Sequence, residues 1–162
     1  MIELAVRGFV WRRGQVLLVR TNFGALKGKW VLPGGLVKVG ETILEAVVRE
    51  VREESGVEMA PESAIALRHY VEGERNNLLT IILGRWLAGE PQPDGREVNA
   101  AAFFDPAEAL TLDELYPVGR LALTLAMGDS AGLRVYPGAN PHFQFLLPAG
   151  LDVPTGLVPE KP

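Results

Sequence analysis

Apolar and polar positions along the chain follow two rhythms, and the change between them divides the sequence. Residues 4–11 (LAVRGFVW) and 15–19 (QVLLV) are rich in branched and aromatic side chains, with Arg12-Arg13-Gly14 between them. Glycine at that point makes a positive φ cheap, so the two runs predict a hairpin. Residues 21–29 predict a loop, Trp30-Val31-Leu32 a short strand, and Pro33-Gly34-Gly35 a break. From Thr42 the period becomes helical: Leu44, Val47, Val48 and Val51 fall at i, i+3, i+4 and i+7 and form one apolar stripe. Thr42 with Glu45 three residues on makes a capping box, and Gly56 supplies the stop. Residues 64–71 and 77–88 then predict strands, 89–95 a polar loop, 98–104 another strand, and 106–110 and 113–127 helices. Beyond Gly128 the chain is irregular, with only residues 143–147 strand-like. This reads as one mixed α/β domain over residues 1–129. A Pro/Gly-rich extension, 130–162, is expected to pack on the domain or on a partner subunit.

Composition narrows the class of function. With 162 residues, 48% apolar and 22% charged, the chain suits one globular domain and not a disordered tail. Cysteine is absent, which removes disulfides, thiolate metal sites and a cysteine nucleophile. A net charge of −4 argues against a general nucleic-acid binder. No apolar run approaches the ~18–20 residues that span a bilayer, and the start, Met1-Ile2-Glu3-Leu4, does not resemble a secretion signal. The expectation is a cytoplasmic protein. Apolar residues in the extension, such as Tyr136, Phe143 and Phe145, need covering, which predicts a homodimer.

The charge is unevenly placed. Residues 1–38 carry seven basic residues against Glu3 alone, whereas residues 41–62 carry seven glutamates and two arginines. On a helical wheel Glu50, Glu53 and Glu54 share roughly a ~100° arc, expected to lie well off the Leu44/Val47/Val48/Val51 stripe. Like charges one turn apart cost a few tenths of a kcal/mol each. Arg49 can hold Glu53 four residues on, with Glu45 four before it, which leaves Glu50 and Glu54 without an obvious cation. A hard divalent cation with oxygen ligands, Mg²⁺ or Mn²⁺, would relieve the repulsion. Zinc fits poorly, because the only imidazoles are His69 and His142.

Read outward, the segment runs Gly35, five residues, Glu41, seven residues, Arg49-Glu50-Val51, one residue, Glu53-Glu54, one residue, Gly56-Val57. This resembles the Nudix box, G-x5-E-x7-R-E-U-x-E-E-x-G-U with U aliphatic, at every specified position. The resemblance implies an α/β/α sandwich with a mixed sheet and a loop–helix–loop motif. It implies divalent-metal-dependent hydrolysis of a nucleoside diphosphate derivative, with ADP-ribose-like and nucleoside triphosphate substrates both open. By the same resemblance Glu50, Glu53 and Glu54 bind the metal with help from the Gly34 carbonyl, Arg49 orients a glutamate, and Glu41 is structural. The general base is then a box glutamate, Glu53, or a later loop acid, for which Glu97 is the first candidate and Glu72 and Glu74 are competitors. Arg7 and Arg20 are candidates for the substrate phosphates because the guanidinium fork matches phosphate oxygens. Phe23 and Tyr70 are candidates for stacking on a base. Two other readings are a Nudix-like sensor that binds a nucleotide without cleaving it, and an enzyme acting on capped RNA.

Overall fold

The first two strands, β1 (Ile2–Arg12) and β2 (Gln15–Thr21), are joined by Arg13 and Gly14, both at positive φ (48° and 83°). That is the backbone of a tight hairpin turn. The strands pair only at Trp11–Val16 and Arg12–Gln15 and then part. β1 continues parallel to β5 (Arg75–Ala88), whereas β2 pairs with β6 (Val98–Phe104) and with the two-residue β3 (Trp30–Val31). Residues 33–37 fill the opening. Val6 donates its N–H to the Gly35 carbonyl (2.9 Å), Gly8 to Pro33 (2.8 Å), and Val37 donates to Leu4 (2.8 Å). The splayed hairpin thus makes the room in which the double glycine lies against β1.

The computed structural model describes residues 2–128 and the backbone of two further strands, β7 (Leu133–Pro137) and β8 (Phe143–Pro148). The sheet order is β3-β2-β1-β5-β4-β8-β7, with β6 beside β2 and β4 spanning Glu58–Glu72. One face is covered by α1 (Ile43–Ser55), whose Val47 and Val51 pack on Val6, Val10, Met59 and Ile82. Gly8 lets that helix settle, since a Cβ there would stand 2.6 Å from Val51 Cγ2. The other face is covered by α2 (Pro106–Thr111) and α3 (Pro117–Met127), with Leu121 and Leu125 against Phe9, Leu18 and Ile81. This is an α/β/α sandwich on a mixed sheet. Among the described residues no helix is long and apolar enough to cross a membrane.

The helix caps follow the expected pattern: Thr42 and Glu45 exchange both capping bonds, and Gly56 closes α1 at φ 70°. Four elements differ from the sequence reading. β4 begins at Glu58 instead of 64, because Pro61 and its acidic neighbours, which look like loop, are absorbed at register shifts against β5. α3 begins at Pro117, not 113; Leu115 is buried instead as a bridge partner of Trp30. Leu44 is half exposed, so the proposed stripe does not coincide with the buried face. β7 joins β8 as a hairpin that extends the sheet through β4, where only the second strand was expected. The rest of the extension, and the side chains behind the homodimer expectation, lie outside the described residues.

Candidate active site

Arg49 gathers the outer carboxylates of α1. Its Nε and Nη2 donate to the two oxygens of Glu41 at 2.6 and 2.9 Å, and Nη1 donates to Glu50 at 2.6 Å and Glu53 at 3.2 Å. Nη2 also reaches the Leu36 carbonyl at 3.0 Å, tying the loop to the helix. The Arg49 bonds, aided by the Lys38 N–H, hold the Glu41 carboxyl down at about 2. This corrects two expectations. Glu45 is engaged with Thr42 and is not behind Arg49. Glu50 is not short of a cation.

Glu54 differs. The expectation that all three carboxylates lie well off the apolar stripe fails here, because Glu54 follows Val47 by seven residues and shares its line along the helix. It is 7% exposed, whereas the Glu53 side chain is 50% exposed. Its Oε2 accepts the Gly34 N–H at 2.9 Å. Burial pushes the Glu54 carboxyl up to about 7; the Arg7 charge and the Gly34 N–H pull down, while Glu50 and Glu97 push further up. Gly34 is required by the backbone beside it, and Gly35 by the placing of the Glu50 carboxylate. A Cβ on Gly34, at φ +154°, would stand 2.1 Å from the Val6 carbonyl oxygen, and one on Gly35 would stand 2.7 Å from Glu50 Oε1.

These groups form one end of a cleft of about 600 Å³. Glu50, Glu54, Gly34, Glu97 and Arg7 all line it. Arg7 also anchors the approach to the double glycine, donating from Nη1 to the Leu32 carbonyl at 2.8 Å. Glu97 reaches the cleft because Asp94 accepts the N–H groups of Arg96, Glu97 and Val98 at 2.9–3.0 Å, and because Asn22 donates to the Glu97 carbonyl at 2.8 Å. Burial raises the Asp94 carboxyl, but those three donors outweigh it and the net shift is downward. Phe23 lines the wall.

Arg49 and Glu53 lie outside the lining, and so does Arg20, whose Nε donates to Asn99 at 2.9 Å and whose guanidinium lies over Trp30. Tyr70 bonds Glu72 at the β4–β5 turn, away from the cleft, and Glu74 sits in that turn. His69 pairs with Asn76 at 2.6 Å, and His142 lies outside the described residues. The sequence reading missed the floor of the cleft, where Glu3, Arg68, Arg75 and Asn77 meet. Its one signal was polar side chains at alternate positions on otherwise apolar strands. Antiparallel pairing of β4 with β5 gathers Arg68, Arg75 and Asn77, and the parallel β1–β5 pairing adds Glu3.

The donor set suits a hard cation: carboxylate oxygens of Glu50 and Glu54 beside peptide groups at Gly34, with no thiolate or imidazole. Among the described residues no three acidic or imidazole groups converge closely enough to form a ready-made cage; Glu53 is held instead beside Arg49.

Comparison with known proteins agrees with this architecture. The profile of the NUDIX domain matches residues 1–124. The ADP-ribose pyrophosphatase of Methanocaldococcus jannaschii is 32% identical over 103 residues, covering 63% of this chain and 61% of that protein. A putative 8-oxo-dGTP diphosphatase 2 of Mycobacterium tuberculosis is 34% identical over 114 residues, covering 68% and 79%. The crystal structure of a MutT NUDIX hydrolase from Burkholderia pseudomallei shares the fold at a TM-score of 0.66, with 23% identity over 78% of this chain and 99% of that one. The chain spans 61%, 48% and 39% of the length of the first three curated relatives it matches.

Proposed function

The chain belongs to the Nudix family, and from that premise we propose that it hydrolyses the pyrophosphate linkage of a nucleoside diphosphate derivative with Mg²⁺ or Mn²⁺. One observation carries this reading: a buried carboxylate, Glu54, beside Glu50 at the end of a cleft where the backbone at Gly34 has no room for a side chain. Glu50 and Glu54, with the Gly34 carbonyl, would hold the metal; Glu53, the third ligand that the box resemblance implies, stands outside the cleft beside Arg49. When bound, it supplies charge neutralisation of the phosphoryl oxygens and a lower pKa for the attacking water.

The chain's own groups supply the rest. Arg7 keeps guanidinium donors beyond the one on Leu32 and can steady a phosphate oxygen. Arg49 holds Glu50 and Glu53 in register. Of the two candidates for the proton acceptor, Glu97 lines the cleft and Glu53 does not, which favours Glu97. Names among the relatives support ADP-ribose as the first substrate to try. The homodimer and the cytoplasmic location stay as proposals on the sequence argument; a monomer by light scattering at micromolar concentration would refute the first.

The test is a hydrolysis panel of ADP-ribose, nucleoside triphosphates and other nucleoside diphosphate derivatives in Mg²⁺ and in Mn²⁺, with EDTA controls. Turnover of at least one compound that EDTA abolishes is expected. Tight calorimetric binding with no product released under any condition would point to a sensor instead and end the hydrolase reading.

A further inference from the structure

The cleft has two unlike ends. Glu50, Glu54 and Glu97 mark one, and the sheet floor leads away from it past Arg7 and the small apolar step of Ala5 and Leu79. Beyond that step the floor becomes cationic. Arg68 on β4 and Arg75 on β5 line the cleft there with Asn77 and Glu3, so with Arg7 three guanidiniums stand over one carboxylate.

The arrangement is built and not merely exposed. Parallel pairing of β1 with β5 sets Glu3 beside Asn77, and antiparallel pairing of β4 with β5 brings Arg68 across from Leu79. Asn77 accepts from Arg68 Nη2 at 2.8 Å and donates from Nδ2 to Glu3 at 3.3 Å. Arg75 Nε donates to the same Glu3 oxygen at 3.1 Å. These bonds fix the amide of Asn77 in one sense, and the amide in turn aims the Arg68 guanidinium.

Such an arrangement has an electrostatic cost. Arg68 is part-buried, burial opposes its charge, and Arg7 and Arg75 repel it while the Tyr116 and Tyr70 hydroxyls favour it. A neutral base or sugar lying on this floor would leave the mutual repulsion of the guanidiniums in place. A second anion, remote from the pyrophosphate, would remove it and find forked donors already oriented.

We propose that the sheet floor around Arg68, Arg75 and Asn77 is an anion subsite for a phosphate carried by the substrate away from its scissile linkage. Arg68 is the specificity-determining residue. Preferred substrates are then nucleoside diphosphate derivatives with an additional phosphate on the nucleoside or on the far sugar. This rests on the hydrolase reading for the orientation of the substrate, with the pyrophosphate at the acidic end.

The experiment compares ADP-ribose with two derivatives, one phosphorylated on the adenosine 2′-hydroxyl and one on the terminal ribose. KM and kcat are measured with metal, and equilibrium binding is measured calorimetrically in EDTA. At least one phosphorylated compound should bind about tenfold tighter than ADP-ribose and show a KM lower by a similar factor, as one charge-assisted contact supplies. Which derivative gains reports which half of the substrate lies on the floor. In Arg68→Gln that preference should fall to about one. Exposed Arg75→Gln, whose folding is less at stake, should reduce it partly, and thermal melts check both variants. Equal affinity for all three compounds in the wild type overturns the proposal, as does an Arg68→Gln variant that folds and keeps the full preference. Because the calorimetric arm needs no turnover, a protein that binds with the expected preference but hydrolyses nothing sinks the hydrolase reading and leaves the subsite standing.

Discussion

Two neighbourhoods on a single helix treat the same functional group in opposite ways. On the outer side of α1, Glu41, Glu50 and Glu53 are gathered by one guanidinium, and the Glu41 carboxyl is held down at about 2. On the inner side, Glu54 has a single backbone donor and the more distant Arg7, and burial lifts it to about 7. The outer cluster is compensated by the protein itself; the inner carboxylate is not. A buried charge that the fold leaves undercompensated marks where a ligand is to complete the balance. The teaching is that spacing in a motif identifies carboxylates, but the partners each one finds decide its task.

The contrast can be tested most severely at Glu54. Glu54→Gln should lower kcat by ~10²-fold or more, because the lost charge acts in the transition state. It should also make the metal-free protein more stable at pH 8. The folded value of about 7 lies above the ordinary 4.5, so between those values the folded chain keeps a proton that the unfolded chain has released. Stability of the metal-free wild type therefore falls as pH rises from about 4.5 to about 7, by on the order of 3 kcal/mol, and the loss is complete above that window. Denaturation in EDTA should show the variant ahead at pH 8 and level at pH 4.5. Equal stability of the two proteins at both pH values would mean that Glu54 is solvated after all.

The outer cluster should behave inversely. Arg49→Met strips three carboxylates of their shared cation and should destabilise by ~2–4 kcal/mol in urea denaturation. Arg49→Lys should recover only part of this, since it cannot bridge both oxygens of Glu41. Full recovery by lysine would show that charge alone matters there.

A subtler difference lies in acid. With its folded value near 2, below the ordinary 4.5, Glu41 contributes stability that is present above pH 4.5 and lost as pH falls toward 2. Glu41→Gln should therefore flatten the acid limb of the stability profile, a limb unchanged by Glu54→Gln.

The smallest effect is expected at Asp94. Asp94→Ala removes the acceptor that orders residues 96–98 and should cost about 1 kcal/mol or less, with a modest loss of kcat through Glu97. A drop as large as that of Glu54→Gln would instead assign Asp94 a direct part.

How much of this could be read from the sequence depended on distance along the chain. α1, its capping box and its Gly56 stop are local, set by residues within a turn of one another, and they stand as read. Glu54 is misplaced by a wheel drawn on the apolar residues alone, which centres the buried face between Val51 and Leu44. The buried face actually turns toward Ala46 and Glu54, the latter bonded to the Gly34 N–H. Arg49 was given the wrong neighbour for a related reason: Glu41 precedes the helix and reaches it only through the shape of the loop. The floor is hard to read because Arg68 and Arg75 meet only in the shifted β4–β5 register, and Glu3 joins them only through parallel pairing of residues 2–11 with 76–85, which leaves no local trace.

The main-chain bonds that lash residues 33–37 to the edge of β1 have a consequence for how this chain can change length. This backbone is templated by a strand, so its position is set by sheet register and not by the loops on either side. An extra residue near Val39 and Gly40, which stand in open solvent, would bulge outward and leave Gly34 where it is. The same insertion between Trp30 and Gly34 would slide the double glycine out of step with Val6 and Gly8. Tolerance for added length should therefore differ sharply between the two flanks of the double glycine.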